Sequence, residues 1–242
     1  MIRRSWRTAV LTERHTESPS ASTLVLEVDE WPGHLPGQHI DVRLTADDGY
    51  QAARSYSLAA PEDGTRLEIT VQRTAGGEVS PFLTDDLGIG DKLEVRGPLG
   101  GWFVWRPDAT DPVLLVGGGS GVVPLMAMVR ARKGSGSAPF RLVYSVRTPE
   151  DRIYAEELDR RGADNDGLDV AYAYTRTAPA AEPRPPGRLQ PEDLTRYGWP
   201  PDLRPTCYVC GPTPFVETVA GLLVAAGHST ERIRTERFGG TS

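Results

Sequence analysis

Only two cysteines, two lysines and four histidines occur among the 242 residues, and each scarcity excludes something. Cys207 and Cys210 form one C-x-x-C, but no second pair completes a thiolate zinc or iron–sulfur site. Thr206–Val209 reads as a strand, so the two thiols face opposite sides, about 10 Å apart. That separation is too wide for a disulfide. His15, His34, His39 and His228 are scattered without ligand spacing, and no metal site is expected. No apolar run approaches the ~20 residues of a membrane-spanning helix. Paired arginines at Arg3 and Arg4 precede no apolar stretch, so the expectation is a cytoplasmic protein without a secretion signal. With only Lys92 and Lys133 as lysines, nearly all positive charge is arginine, and the arginine count alone is no argument for phosphate binding. Residues 1–109 carry 11 Lys+Arg against 17 Asp+Glu, while the remainder is balanced at 16 and 16. Such a distribution excludes a nucleic-acid-binding surface.

What is present is a change of grammar near Pro107–Pro112. Before it lie short runs that read as strands (7–14, 22–30, 38–44, 53–60, 66–73 and 91–97), separated by Pro36-Gly37, Asp48-Gly49 and Gly97-Pro98. One short helix, Glu78–Asp86, follows Gly76-Gly77. Strands at this spacing predict a barrel or sandwich. After the boundary, strands at 113–116, 140–146, 169–174 and 206–209 alternate with helices near 124–133, 150–161, 191–197 and 214–226. Alternation predicts a parallel sheet with helices on both faces. The expected domains are therefore 1–108, an antiparallel β-barrel, and 109–242, an α/β unit. The stretches 134–139 and 178–187 read as loops.

Three stretches carry chemistry. In Arg54-Ser55-Tyr56-Ser57-Leu58, Arg54 and Tyr56 share a strand face. One offers a donor fork for a pyrophosphate and the other a flat ring for a flavin; an ordinary half-exposed strand is the alternative. Val113–Pro124 reads as strand, glycine turn and helix start, which brings backbone close to a phosphate. It departs from the dinucleotide fingerprint G-x-G-x-x-G, because Pro124 holds the third glycine position and no acidic ribose anchor ends the next strand, where Ser145 and Arg147 stand. A glycine turn with no ligand is its alternative. Cys210-Gly211-Pro212 follows a strand end, where open α/β sheets bind ligands; a small buried residue is the plainer reading of Cys210.

Four signatures in order, Arg54-Ser55-Tyr56-Ser57, Gly76-Gly77-Glu78-Val79-Ser80, Gly117–Pro124 and Cys210-Gly211-Pro212, resemble those of the ferredoxin–NADP reductase superfamily of flavoproteins. The resemblance spans nearly the whole chain and implies a flavin-binding barrel followed by a nucleotide-binding α/β domain. It implies that Arg54 holds the flavin phosphate, Tyr56 stacks on the ring, Ser55 and Ser57 supply hydroxyls, and Ser57 lies near N5. Gly76, Gly77, Val79 and Ser80 would cradle the pyrophosphate, with Val71 and Arg73 bordering the flavin. Gly119, Ser120 and Gly121 would contact the pyridine dinucleotide, with Cys210, Gly211 and Pro212 near the nicotinamide. Phe238 is the expected aromatic over the second flavin face, and Glu236 would reach the nicotinamide neighbourhood; a frayed terminus is the alternative. Arg147, Arg152 and Arg176 are candidates for a 2′-phosphate, which favours NADP while NAD stays open. FAD is the expected flavin, with FMN open because no adenine contacts can be identified. The implied activity is an FAD-dependent NAD(P)H oxidoreductase without an iron–sulfur domain. It would pass electrons to a ferredoxin, flavodoxin or oxygenase component. A flavin reductase with small acceptors and a non-catalytic subunit of a larger complex are the other readings. An acidic acceptor would need a local patch at Arg3, Arg4 and Arg7.

Overall fold

Twelve residues of β1 (Arg7–Ser18) begin a six-stranded antiparallel sheet in the order β4-β3-β6-β1-β2-β5. Its other members are β2 (Ala21–Glu27), β3 (His39–Thr45), β4 (Gln51–Ser57), β5 (Arg66–Gln72) and β6 (Lys92–Leu99). The structure is a computed structural model describing residues 5–46, 48–132, 138–164 and 167–239. Alternating apolar residues such as Leu24, Leu26, Ile40, Val42, Leu67 and Ile69 turn inward and form one core. Among the described residues, the pairing between the two edges is a single bridge from Leu58, just past β4, to Ile69 of β5. Along Gln51–Ser57, β4 is paired with β3 alone. The barrel therefore has a seam, and the short helix α1 (Val79–Pro81), which continues as a wider turn over Phe82–Asp86, packs against β4 there.

A five-stranded parallel sheet in the order β11-β10-β7-β8-β9 builds the second unit. It contains β7 (Val113–Gly118), β8 (Phe140–Val146), β9 (Leu168–Tyr174), β10 (Thr206–Pro212) and β11 (Ile233–Phe238). Every residue of β7 is buried, as expected of a central strand covered on both faces. The helices α2 (Val122–Ala131) and α3 (Ala155–Ala163) cover one face. The other face is covered by α4 (Pro191–Tyr197) and α5 (Thr213–Ala225). Cys207 and Cys210 lie in the cores on opposite faces, both unpaired, as strand alternation requires.

Two expectations change. The C-terminal segment is no frayed tail, because Ile233–Phe238 forms β11, hydrogen-bonded along β10. The helix expected near 150–161 begins only at Ala155, after a 3-10 turn at Pro149–Asp151. The interruption is Tyr154, which sits in the left-handed region at φ 59°, a conformation uncommon outside glycine.

That backbone position is held by polar contacts between the two units. The Tyr154 hydroxyl meets Thr70 Oγ1, which is 2.7 Å from Thr23 Oγ1. Thr23 donates to Glu17 at 2.7 Å, and the Tyr154 N–H donates to the same carboxylate at 3.2 Å. Beside them Arg130, its guanidinium 4.8 Å from the Tyr154 ring, bonds Glu157 at 2.7 Å, Glu68 at 3.1 Å and the Ala59 carbonyl at 3.0 Å. Phe103 and Trp105, between β6 and β7, pack into the core of the second unit. Arg130→Met should cost about 3 kcal/mol, the lower end for a broken buried pair. Glu68 and Glu157 each keep a second partner, Arg66 and Arg161. The denaturant midpoint should fall with the slope unchanged; an unaltered midpoint would show that these contacts do not hold the units together.

Candidate functional site

The seam of the barrel presents Ala52, Arg54 and Tyr56 on one side of β4, because side chains alternate along a strand. Ala52 and Tyr56 pack partly against the barrel core, whereas Arg54 is exposed. Arg54 forms no ion pair among the described residues and bonds only the neighbouring Ala53 carbonyl, at 2.7 Å. Burial pushes the Tyr56 phenol up to about 12, against the opposing pull of Arg54, so the ring stays neutral. Across from β4, the Thr74–Ser80 turn is closed by the Gly77 N–H donating to the Thr74 carbonyl at 3.0 Å. The Thr74 N–H donates to Ser80 Oγ at 3.1 Å, leaving the Ser80 O–H free to donate. Gly76 adopts φ +73°, and a side chain on Gly77 would crowd the Thr74 carbonyl at 3.2 Å.

These residues fit an FAD phosphate: an uncommitted guanidinium, a hydroxyl donor and glycine backbone on one seam, with a neutral aromatic ring beside them. Five of the expected site residues take a different part. The Gly77 amide is used inside the turn. Val71 and Val79 are fully buried in the barrel core, so only their backbone is available. Arg73 is held by Asp85 at 2.7 Å. The Ser55 hydroxyl faces the other side of β4 and donates to Asp41 at 2.7 Å.

In the second unit the strand order places β8 and β9 on one side of β7, and β10 and β11 on the other. The carboxyl ends of β7 and β10 thus flank a topological switch point, where α/β sheets bind ligands. The two turns there touch: a Cβ on Gly121 would lie 2.1 Å from the Cys210 carbonyl oxygen, so only glycine fits. Gly119, at φ +56°, faces open space. The resulting cleft of about 210 Å³ is lined by Gly119, Ser120, Arg147, Pro212 and Phe238, with Gln72 reaching in from the barrel.

The two halves meet at Glu236. Parallel pairing sets Cys210 beside Glu236 and Pro212 beside Phe238, and the Ser57 hydroxyl lies 3.5 Å from the Glu236 carboxylate. Burial raises the Glu236 carboxyl from 4.5 to about 7, with the Ser57 contact opposing. Burial first, and the nearby Glu236 second, push the Cys210 thiol well above its ordinary value. Burial thus keeps the Cys210 thiol protonated, which disfavours nucleophilic attack by it. Arg147 and Arg176 are both exposed and adjacent, since the Arg176 N–H donates to the Arg147 carbonyl at 2.9 Å. Arg152 does not join them. It bonds Asp159 at 2.8 Å and lies over the Tyr172 ring, which ties it to the face of β9.

Gln72 was not among the expected site residues, although its signal was legible: once Val71 turns into the core, alternation turns Gln72 out. The contacts of Tyr154 with Thr70 and Glu17 left no such signal, because they join residues 84 and 137 positions apart on two units.

Comparison with known proteins agrees with this division. The family described as oxidoreductase FAD-binding domain matches residues 8–104, and that described as oxidoreductase NAD-binding domain matches residues 115–221. The flavohemoprotein of Pseudomonas aeruginosa is 30% identical over 95% of this chain and 58% of its own length. A glycine betaine monooxygenase reductase subunit from the same species is 33% identical over 85% of this chain and 56% of its length. The chain thus spans little more than half of these relatives. Among solved structures, the FAD/NAD-binding domain of nitric oxide dioxygenase from Vibrio cholerae superposes with a TM-score of 0.83 at 26% identity, covering 97% of this chain and 99% of that one.

A folded-state carboxyl raised above its unfolded value favours the folded protein at low pH, and that advantage is lost as pH rises from the unfolded to the folded value. In flavin-free protein, Glu236→Gln should therefore gain stability over wild type progressively between pH 4.5 and about 7. Parallel pH–stability curves for the two proteins would refute the assignment.

Proposed function

We propose that this chain, which belongs to the ferredoxin–NADP reductase-like superfamily of flavoproteins, oxidises NAD(P)H and passes the electrons to a protein acceptor. The observation that carries the proposal is the 3.5 Å contact between Ser57 of the barrel and Glu236 of the α/β unit. It makes the flavin seam and the nucleotide cleft open onto one spot. We take residues 1–108 as the flavin-binding domain and 109–242 as the nucleotide-binding domain. When bound, FAD supplies a hydride-accepting ring that can release electrons onward.

The protein's own part is orientation. Arg54 and the Ser80 hydroxyl would bind the flavin phosphate, and Tyr56 would lie against the ring. Gly119 and Ser120 would take the dinucleotide, with Gly121 keeping the β7 and β10 turns in contact. Cys210 would form an uncharged floor for the nicotinamide, and the Ser57 hydroxyl donates to the Glu236 carboxyl, whose proton affinity burial raises. Phe238, 37% exposed and lining the cleft, would cover the second flavin face.

The acceptor class is supported by the relatives, several of which are reductase components of oxygenase systems. An oxygenase component or a ferredoxin fits best. Of the arginine patch at Arg3, Arg4 and Arg7, the first two lie outside the described residues, and Arg7 is half-buried on β1. NADP is the favoured coenzyme, through the exposed pair Arg147 and Arg176.

Purified protein should carry a flavin spectrum that bleaches anaerobically with NADPH or NADH. A colourless protein that takes up no FAD would overturn the proposal. Replacing Arg147 and Arg176 by alanine should raise the KM for NADPH about ten- to a hundredfold, the worth of one charge-assisted contact, and leave that for NADH unchanged. Equal effects on both coenzymes would argue that the pair does not read the 2′-phosphate.

A further inference from the structure

Residues 100–112 connect β6 of the barrel to β7 of the parallel sheet, and arginines of the sheet tie this connection down. Ile233 packs into the core on the α4–α5 face, so period-two alternation turns Arg232 and Arg234 together to the other side of the chain. Arg232 donates to the Asp111 carboxylate at 2.8 Å and to the Thr206 hydroxyl at 3.2 Å. Arg234 donates through Nη1 to the Val104 carbonyl at 2.6 Å, and the Tyr208 hydroxyl donates to the same carbonyl at 2.8 Å. Between the connection and these strands lies a pocket of about 400 Å³, within the size range of small-molecule sites. Val113 and Thr206, the first residues of β7 and β10, line it, so it lies at the end of the sheet opposite the nucleotide cleft.

The pocket holds more donors than the protein uses. Nε and Nη2 of Arg234 bond nothing among the described residues, since its three hydrogen bonds all leave from Nη1. Arg106, exposed on the connection, forms no hydrogen bond or ion pair among them. The Trp105 indole, 2% exposed, also lines the pocket, and its Nε1–H has no acceptor among the described residues. A buried donor in that state is costly. Of the two carboxylates in the walls, Asp111 is taken up by Arg232, which leaves Glu231 facing the other guanidiniums. We propose that this pocket is an anion site, taking a small oxyanion of the phosphate or carboxylate class between Arg106 of the connection and Arg234 of β11. A guanidinium fork pairs with either oxyanion through two parallel hydrogen bonds. The anion would accept from donors left unused, so it displaces no contact already made. It would also bridge the segment joining the two units to the strand that carries Glu236, and would stabilise that junction by mass action.

The test is calorimetric titration of FAD-loaded full-length protein with inorganic pyrophosphate and with citrate, at fixed ionic strength. The parent for these titrations carries Arg147→Ala and Arg176→Ala, which removes the competing anion contacts of the nucleotide cleft. It should bind at least one of the two anions saturably. Pyrophosphate alone marks a phosphate site, citrate alone a carboxylate site, and both a site for either. Adding Arg106→Ala should weaken that binding about ten- to a hundredfold, the worth of one charge-assisted contact. Adding Glu231→Gln instead should tighten it, by removing the opposing charge. Both side chains are exposed, so folding should survive either change. No saturable binding of either anion by the parent, or binding that Arg106→Ala leaves unchanged, would overturn the site, and neither result bears on the flavin reading.

Discussion

The contact between two separately folded sheets is the constraint on which the rest of this molecule depends. Ser57 and Tyr56 belong to the barrel, while Cys210, Glu236 and Phe238 belong to the parallel sheet, and neither set is a site without the other. Arg130 and Tyr154 fix the alignment from the α/β side, against Glu68, Thr70 and Glu17 of the barrel. A polar interface of this kind is directional. Where apolar surfaces tolerate sliding, a hydroxyl chain ending on a carboxylate is satisfied in one arrangement only. The left-handed backbone at Tyr154 fits this view, since local strain persists only where surrounding contacts over-determine it.

Electrostatics divide the site in a consistent way. Arg54, Arg147 and Arg176 are exposed cations along the seam and cleft, and their placement suits phosphates at the periphery. At the centre, where the two domains touch, burial works against ionisation: it raises the proton affinity of a thiol, a carboxyl and a phenol. Charged ends and a neutral middle match a reaction in which phosphates serve as handles and hydride moves between flat rings.

Much of this was legible in the sequence, for physical reasons. Period-two alternation placed the barrel strands and the face shared by Arg54 and Tyr56. The apolar run before Gly117 announced a central parallel strand. What could not be read was long-range geometry. Gly121 is required because the Cys210 backbone crosses it, a contact between positions 89 residues apart. Arg152 is equivalent to Arg147 and Arg176 in sequence pattern, but Asp159 and Tyr172 hold it elsewhere. Ser55 has the right chemistry on the wrong side of its strand. Likewise β11 was hidden in a charged, short segment, Ile233–Phe238, whose strand character comes from its neighbour β10 and not from its own pattern.

The unpaired edge of β4 has a consequence beyond ligand binding. Along Gln51–Ser57 one row of peptide groups has no strand partner, and such an edge is a template for another chain. A flavin lying in the seam would cover the same edge that a second molecule would otherwise extend. Cofactor supply and colloidal behaviour are then coupled: a cell short of flavin would hold a protein that is both inactive and inclined to self-associate.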